Sequence, residues 1–359
     1  MIGWDDIYKV VASMFPLYVA LILGYGSVKW WRMFKPDHCN AINQLNCYFI
    51  MPLFTFDFTT RINPYKMNFQ FLAADGISKA IILIAILVWA KFTTKGNYPW
   101  SITSFSLSSL SNTLVVGVPL LGAMYGPLGE NLVIQISILQ FTVWIVILLI
   151  MYSFQSVSKS LELVVLPNES RMDIEGNTEQ HEVNTEQDEV TTRPSLLKLM
   201  KIVGLKLATN PNAYACFIGL AWTLVSYRWD LKLPSIIEGS VLIMSRAGSG
   251  VAMFCMGLFM ALQPKIIDCG ATLTAFGMLL RFVVAPATMA VGSFIVGLRG
   301  DVLCIAIIQA ALPQAIASFV FAKEYELHTN VLSTAVIFGT IVSIPVLIVY
   351  YVVLDVLNT

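Results

Sequence analysis

Charge is what this sequence has least of. Lys, Arg, Asp and Glu make up 12% of its 359 residues, against about 25% in soluble domains, which excludes a soluble globular chain of ordinary composition. The 22 basic and 22 acidic residues cancel, so no nucleic-acid partner is expected. Histidine is nearly absent: His38, His181 and His328 have no partner at metal-ligand spacing. Cys39, Cys47, Cys216, Cys255, Cys269 and Cys304 form no CxxC pair and fall within or beside apolar runs, where thiols act as small packing groups. No metal site and no cofactor follow. A phosphate loop, a nucleophile with its base and a His-rich helix are also missing, so no enzyme is expected. There is no basic leader with a short apolar core; "DDIYKVVASMFPLYVALILGYGS" is long enough to stay as a span, and no signal peptide is predicted.

Apolar residues, at 57%, are what the chain has in excess. Runs such as "AIILIAILVWA" and "FTVWIVILLIMY" lack the alternation of outer-membrane strands. Several approach or exceed the roughly 20 residues that cross a bilayer as a helix. The sequence predicts an all-α membrane protein with ten spans, at 6–28, 39–60, 70–92, 99–125, 130–154, 208–228, 234–262, 267–297, 300–322 and 328–355. Residues 1–155 form a first five-helix repeat. Residues 156–197, with nine acids and three bases, read as a disordered loop. Residues 198–359 form the second repeat, entered through the basic amphipathic stretch "KLMKIVGLKL" at 198–207.

Lys and Arg set the orientation. With the N-terminus away from the cytosol, cytosolic loops hold 13 basic residues and the opposite loops six, with Lys79, Arg246 and Arg281 at membrane depth. The central loop is therefore placed in the cytosol and both termini opposite. The halves also resemble each other. Pro16, Ala20 and Gly24 match Pro211, Ala215 and Gly219, and "LSNTLVVGVPLL" aligns with "LPQAIASFVFAK", setting Asn112 opposite Gln314. Five spans per half make the second repeat inverted, the arrangement of many secondary transporters.

Polar and helix-breaking residues at depth locate a candidate site. The fourth span carries Asn112, Gly117 and Pro119; the ninth carries Pro313 and Gln314. Proline removes a helical donor and glycine tolerates the altered backbone, so both helices are predicted to open near the midplane. Such openings survive in a membrane only where protein or a water-filled cavity satisfies them. Half-helix N-termini there suit a carboxylate, and Leu114 and Ile316 suit an apolar ring on the same molecule. Asp75 and Lys79, four residues apart, share a helix face and are expected to pair, either structurally or as support for the substrate or a proton site. Arg281 reads as a packing or snorkelling residue, and Gln140 as a helix-to-helix hydrogen bonder or a lining residue.

The segments "PLYVALILGYGSVKWW", "SNTLVVGVPLLGAMYG", "NPNAYACFIGL", "GVAMFCMGLFMALQPKII" and "QAALPQAIASFVFAKEYELH" resemble the PIN-FORMED auxin carriers across both halves. The resemblance implies cofactor-free, elevator-like transport of indole-3-acetate and related aromatic carboxylates. It implies a homodimeric scaffold from spans 1, 2, 6 and 7, with spans 3–5 and 8–10 moving. Asn112 would contact the carboxylate or indole, with Thr55 and Gln140 as polar lining and Met51, Leu114, Ile316 and Ala317 as apolar wall. Ser111, Pro119, Pro313 and Gln314 would form the crossover, and Asp75 with Lys79 the support pair. The short central loop is similar to that of the short members, which implies the endoplasmic reticulum membrane rather than the plasma membrane. Members commonly carry Pro where this chain has Ser111, and "PQGIVPF" where it reads "PQAIASF". A cation-coupled carrier of other organic anions and a ligand-binding membrane receptor are the alternative readings.

Overall fold

The computed structural model describes residues 4–92, 97–165, 204–205, 211–263, 265 and 267–358. Every extended element among them is helical: α1 (Trp4–Lys29), α2 (Pro36–Leu45), α3 (Met51–Thr60), α4 (Phe69–Phe92), α5 (Tyr98–Ser109), α6 (Val118–Leu139), α7 (Ile145–Val165), α8 (Pro211–Trp229), α9 (Ser235–Leu262), α10 (Ala271–Leu279), α11 (Ala285–Val296), α12 (Gly300–Ala310), α13 (Ile316–Glu324) and α14 (Thr329–Asn358). Six stretches are long and apolar enough to cross a membrane. One of them, Thr113–Ser156, is longer than a single crossing needs, and it breaks at Gly126, whose φ of 61° and ψ of −148° precede Pro127.

Four π-helical stretches modify these helices: Asn46–Ile50 joins α2 to α3, Thr113–Gly117 opens α6, Gln140–Trp144 joins α6 to α7, and Leu280–Val284 joins α10 to α11. The last helix of the first half, α7, runs on past residue 155 to Val165. The rest of the central loop and nearly all of 198–207 lie outside the described residues.

Helices meet where side chains vanish. A Cβ on Gly257 of α9 would lie 2.0 Å from the Leu21 carbonyl of α1, and one on Gly24 would lie 2.1 Å from the Phe254 carbonyl. In the same way α3 sets Thr59 against Gly219 of α8, and α11 brings Gly292 against the Ala74 carbonyl of α4. Small residues are how membrane helices approach closely, because lipid supplies no hydrophobic drive between them. Polarity is distributed accordingly: Ile84, Leu87, Phe294 and Ile295 face outward, while Asp75, Lys79 and Arg281 are buried. The apolar exterior needs hydrocarbon around it.

Candidate substrate site

The polar interior begins where α5 and α12 stop. Leu110 takes an extended conformation (φ −98°, ψ 111°) and so does Ala315 (φ −67°, ψ 138°). The two extended strips run antiparallel across each other. The Asn112 N–H donates to the Pro313 carbonyl at 2.9 Å and the Ala315 N–H to the Leu110 carbonyl at 3.2 Å, with Ser111 bridged to Gln314 between them. A short β-like ladder thus satisfies backbone that proline and the broken turns would leave bare.

Side chains complete it. The Gln140 amide accepts from the Ser111 N–H at 3.1 Å and donates to the Ser111 carbonyl at 2.9 Å. Gln140 therefore works as a third strand for Ser111. Its position in a π-helical stretch of the next helix is what aims it there. The Gln314 amide nitrogen donates to the Ser106 carbonyl at 2.8 Å and to the Ser318 hydroxyl at 2.6 Å, tying α13 to the end of α5. Ser111 and Ser318 are both used, the first through an N–H that proline would lack.

Beside the ladder lies the charged pair. Lys79 Nζ donates to Asp75 Oδ2 at 2.9 Å, and Trp144 Nε1 donates to the same oxygen at 2.9 Å. The ammonium sits 5.0 Å from the Trp144 ring centroid. Both charges are buried, so pairing is obligatory at that depth. Arg281, read from sequence as packing or snorkelling, does not reach a surface: it is 1% exposed. Its guanidinium donates to the carbonyls of Leu107 and Ala310.

A cavity of about 440 Å³ approaches the ladder from one side, lined among others by Phe54, Phe58, Leu114, Pro119, Glu130 and Ser249. Of the residues anticipated from sequence, Leu114 and Pro119 reach its wall. Asn112 lies two positions before Leu114 and keeps its Nδ2 without a hydrogen-bond partner; Met51 and Ile316 pack on the same apolar cluster as Leu114. Ala317 packs instead with the cluster containing Phe105 and Trp144. Thr55 is not brought to the cavity. It shares a helix face with Thr59, which abuts Gly219 of α8, so Phe54 and Phe58 hold the positions facing the cavity. Ser249, Glu130 and this aromatic pair were not singled out from sequence; the spacing of "FTFDF" is their one visible signal.

A family described as Membrane transport protein matches residues 9–351. The chain is 54% identical over 355 residues to auxin efflux carrier component 5 of Arabidopsis thaliana, covering 99% of each chain. The chain belongs to the PIN-FORMED auxin efflux carrier family. It is also 52% identical over 363 residues to probable auxin efflux carrier component 5a of Oryza sativa subsp. japonica, covering 100% of both, and 36% identical over 366 residues to component 8 of Arabidopsis thaliana, covering 99% of this chain and 100% of that one. Its full-length match to the component 5 proteins makes it a short-loop PIN-FORMED member, a membrane transporter and not an enzyme.

Proposed function

We propose that this chain carries the anion of indole-3-acetate, an auxin, and related aromatic carboxylates across the endoplasmic reticulum membrane, without a cofactor. The observation that carries the reading is the laddered crossing at Ser111 and Gln314, with the unpaired Asn112 amide nitrogen beside it. Two helix segments, from Thr113 and from Ile316, begin at this crossing, and the positive end of their dipoles favours a carboxylate. Asn112 donates to that carboxylate. Leu114, Met51 and Ile316 take the ring, and the cavity admits it past Phe54 and Phe58. Gln140 supports the crossing through Ser111.

Ten crossings in two inverted repeats fit the contacts. Exchanging the halves turns the α1–α9 crossing into the α3–α8 crossing and leaves the α4–α11 contact and the ladder unchanged. An elevator then moves the ladder, α4 and α11 against a scaffold of α1, α3, α8 and α9, which also supplies the homodimer contact. The central segment faces the cytosol and the termini the lumen, as the basic residues favour.

Flux of radiolabelled indole-3-acetate into proteoliposomes tests the proposal: wild-type flux is expected well above that of Asn112→Ala, and equal flux overturns it. Imposed sodium and proton gradients are expected to leave the flux unchanged, whereas dependence on either points to a cation-coupled carrier. Fractionation of tagged protein with endoplasmic reticulum or plasma membrane markers checks the location.

A further inference from the structure

Among the described residues Arg281 is the largest of the fully buried side chains, and its partners are unusual. Leu107 and Ala310 lie in the last turns of α5 and α12, the two helices that stop at the crossing. Carbonyls in a helix's last turn lack intrahelical donors and carry the negative end of the helix dipole. In α5 the shortage is explicit: the Ser111 N–H, which would have closed the turn onto Leu107, is turned to Gln140. Arg281 Nη1 donates to the Leu107 carbonyl at 3.4 Å and Nη2 to that of Ala310. One planar fork therefore caps both helices at once, which a lysine's single ammonium is not shaped to do.

The same group fixes the local charge. Arg281 shares a small internal cavity with Asp75 and Lys79. These are its charged lining residues, and two cations against one carboxylate leave one positive charge behind the crossing.

We propose that Arg281 is the positioning residue of the crossing: it clamps the C-terminal ends of α5 and α12 together and holds an uncompensated positive charge behind the substrate's carboxylate. The clamp needs the fork and the affinity needs the charge, so the two roles separate by substitution. Only the affinity half rests on the proposed transport of an organic anion.

The test uses the full chain, reconstituted, with its native cysteines replaced and Ser111→Cys and Gln314→Cys introduced as a disulfide-forming pair. Mild oxidation without substrate reads the crossing itself. In the Arg281→Lys background the cross-linking rate is expected to fall roughly tenfold, and in Arg281→Met further. A rate equal to the parent in either folded variant overturns the clamp, and a parent that does not cross-link contradicts the pairing on which it stands. Arg281→Lys keeps volume and charge, so it carries the comparison if Arg281→Met does not fold. Transport is then measured with native Ser111 and Gln314. Arg281→Lys is expected to lower kcat with KM within about twofold, and Arg281→Met to raise KM about tenfold as well. Equal KM for the two overturns the charge role. Cross-linking that depends on Arg281 in protein with no indole-3-acetate flux would leave the clamp standing and remove the auxin reading.

Discussion

Gln140 commits its whole amide to the main chain of Ser111, and it does so from another helix. Gln140→Leu leaves a buried N–H without an acceptor, a loss of about 2 kcal/mol, visible as a lower unfolding midpoint in detergent. Ser111→Pro removes the same hydrogen bond from the other side and strands the Gln140 carbonyl oxygen. The two changes are expected to be less than additive by about 1 kcal/mol in a double-mutant cycle. Full additivity would mean that the pair is not coupled. Asn112→Ala behaves oppositely: its Nδ2 has no partner to lose, so the midpoint should hold while KM for indole-3-acetate rises about tenfold. At this scale the sequence reveals amides and prolines stranded in apolar runs, which is why Asn112, Pro313 and Gln314 could be picked out. It does not reveal partners in space. Gln140 reads from sequence as either a helix-to-helix hydrogen bonder or a lining residue, and helical spacing alone does not say which face of α3 turns toward α8.

The elements cross at glycines, and there a single carbon decides the geometry. Gly257→Val places atoms inside the Leu21 carbonyl of α1, and backbone cannot yield as a side-chain tip can. Loss of monodisperse protein on size exclusion is expected, whereas Gly239→Ala, which meets nothing within 4 Å, should be recovered normally. An all-helical, apolar architecture was legible because hydrocarbon imposes length and apolarity on the helices that cross it. Their internal devices were only half legible. Pro313 announces its break, but the π-helical stretches at Gln140–Trp144 and Leu280–Val284 have no signature residue, since an inserted residue changes register and not composition.

For the molecule as a whole, the cavity is open to one side of the ladder, running from Glu130 near the Gly126 turn down to Leu114. With the proposed topology that side faces away from the cytosol. Ser249→Cys, in a chain with its native cysteines replaced, should react with a membrane-impermeant thiol reagent applied to the face opposite the central segment. Indole-3-acetate should slow the reaction. Reaction only from the central-segment side would reverse the assignment of the open face.

The π-helical stretch at Leu280–Val284 has a genetic consequence. It holds one residue more than a regular helix needs, and deleting one there would produce a smoother helix by every local measure. The same deletion would turn everything on one side of it by about 100° relative to the other, so Arg281 and the packing face of α11 could no longer both point inward. Loss of a single codon between α10 and α11 should therefore be as damaging as loss of the crossing itself, although neither helix contributes an atom to the ladder.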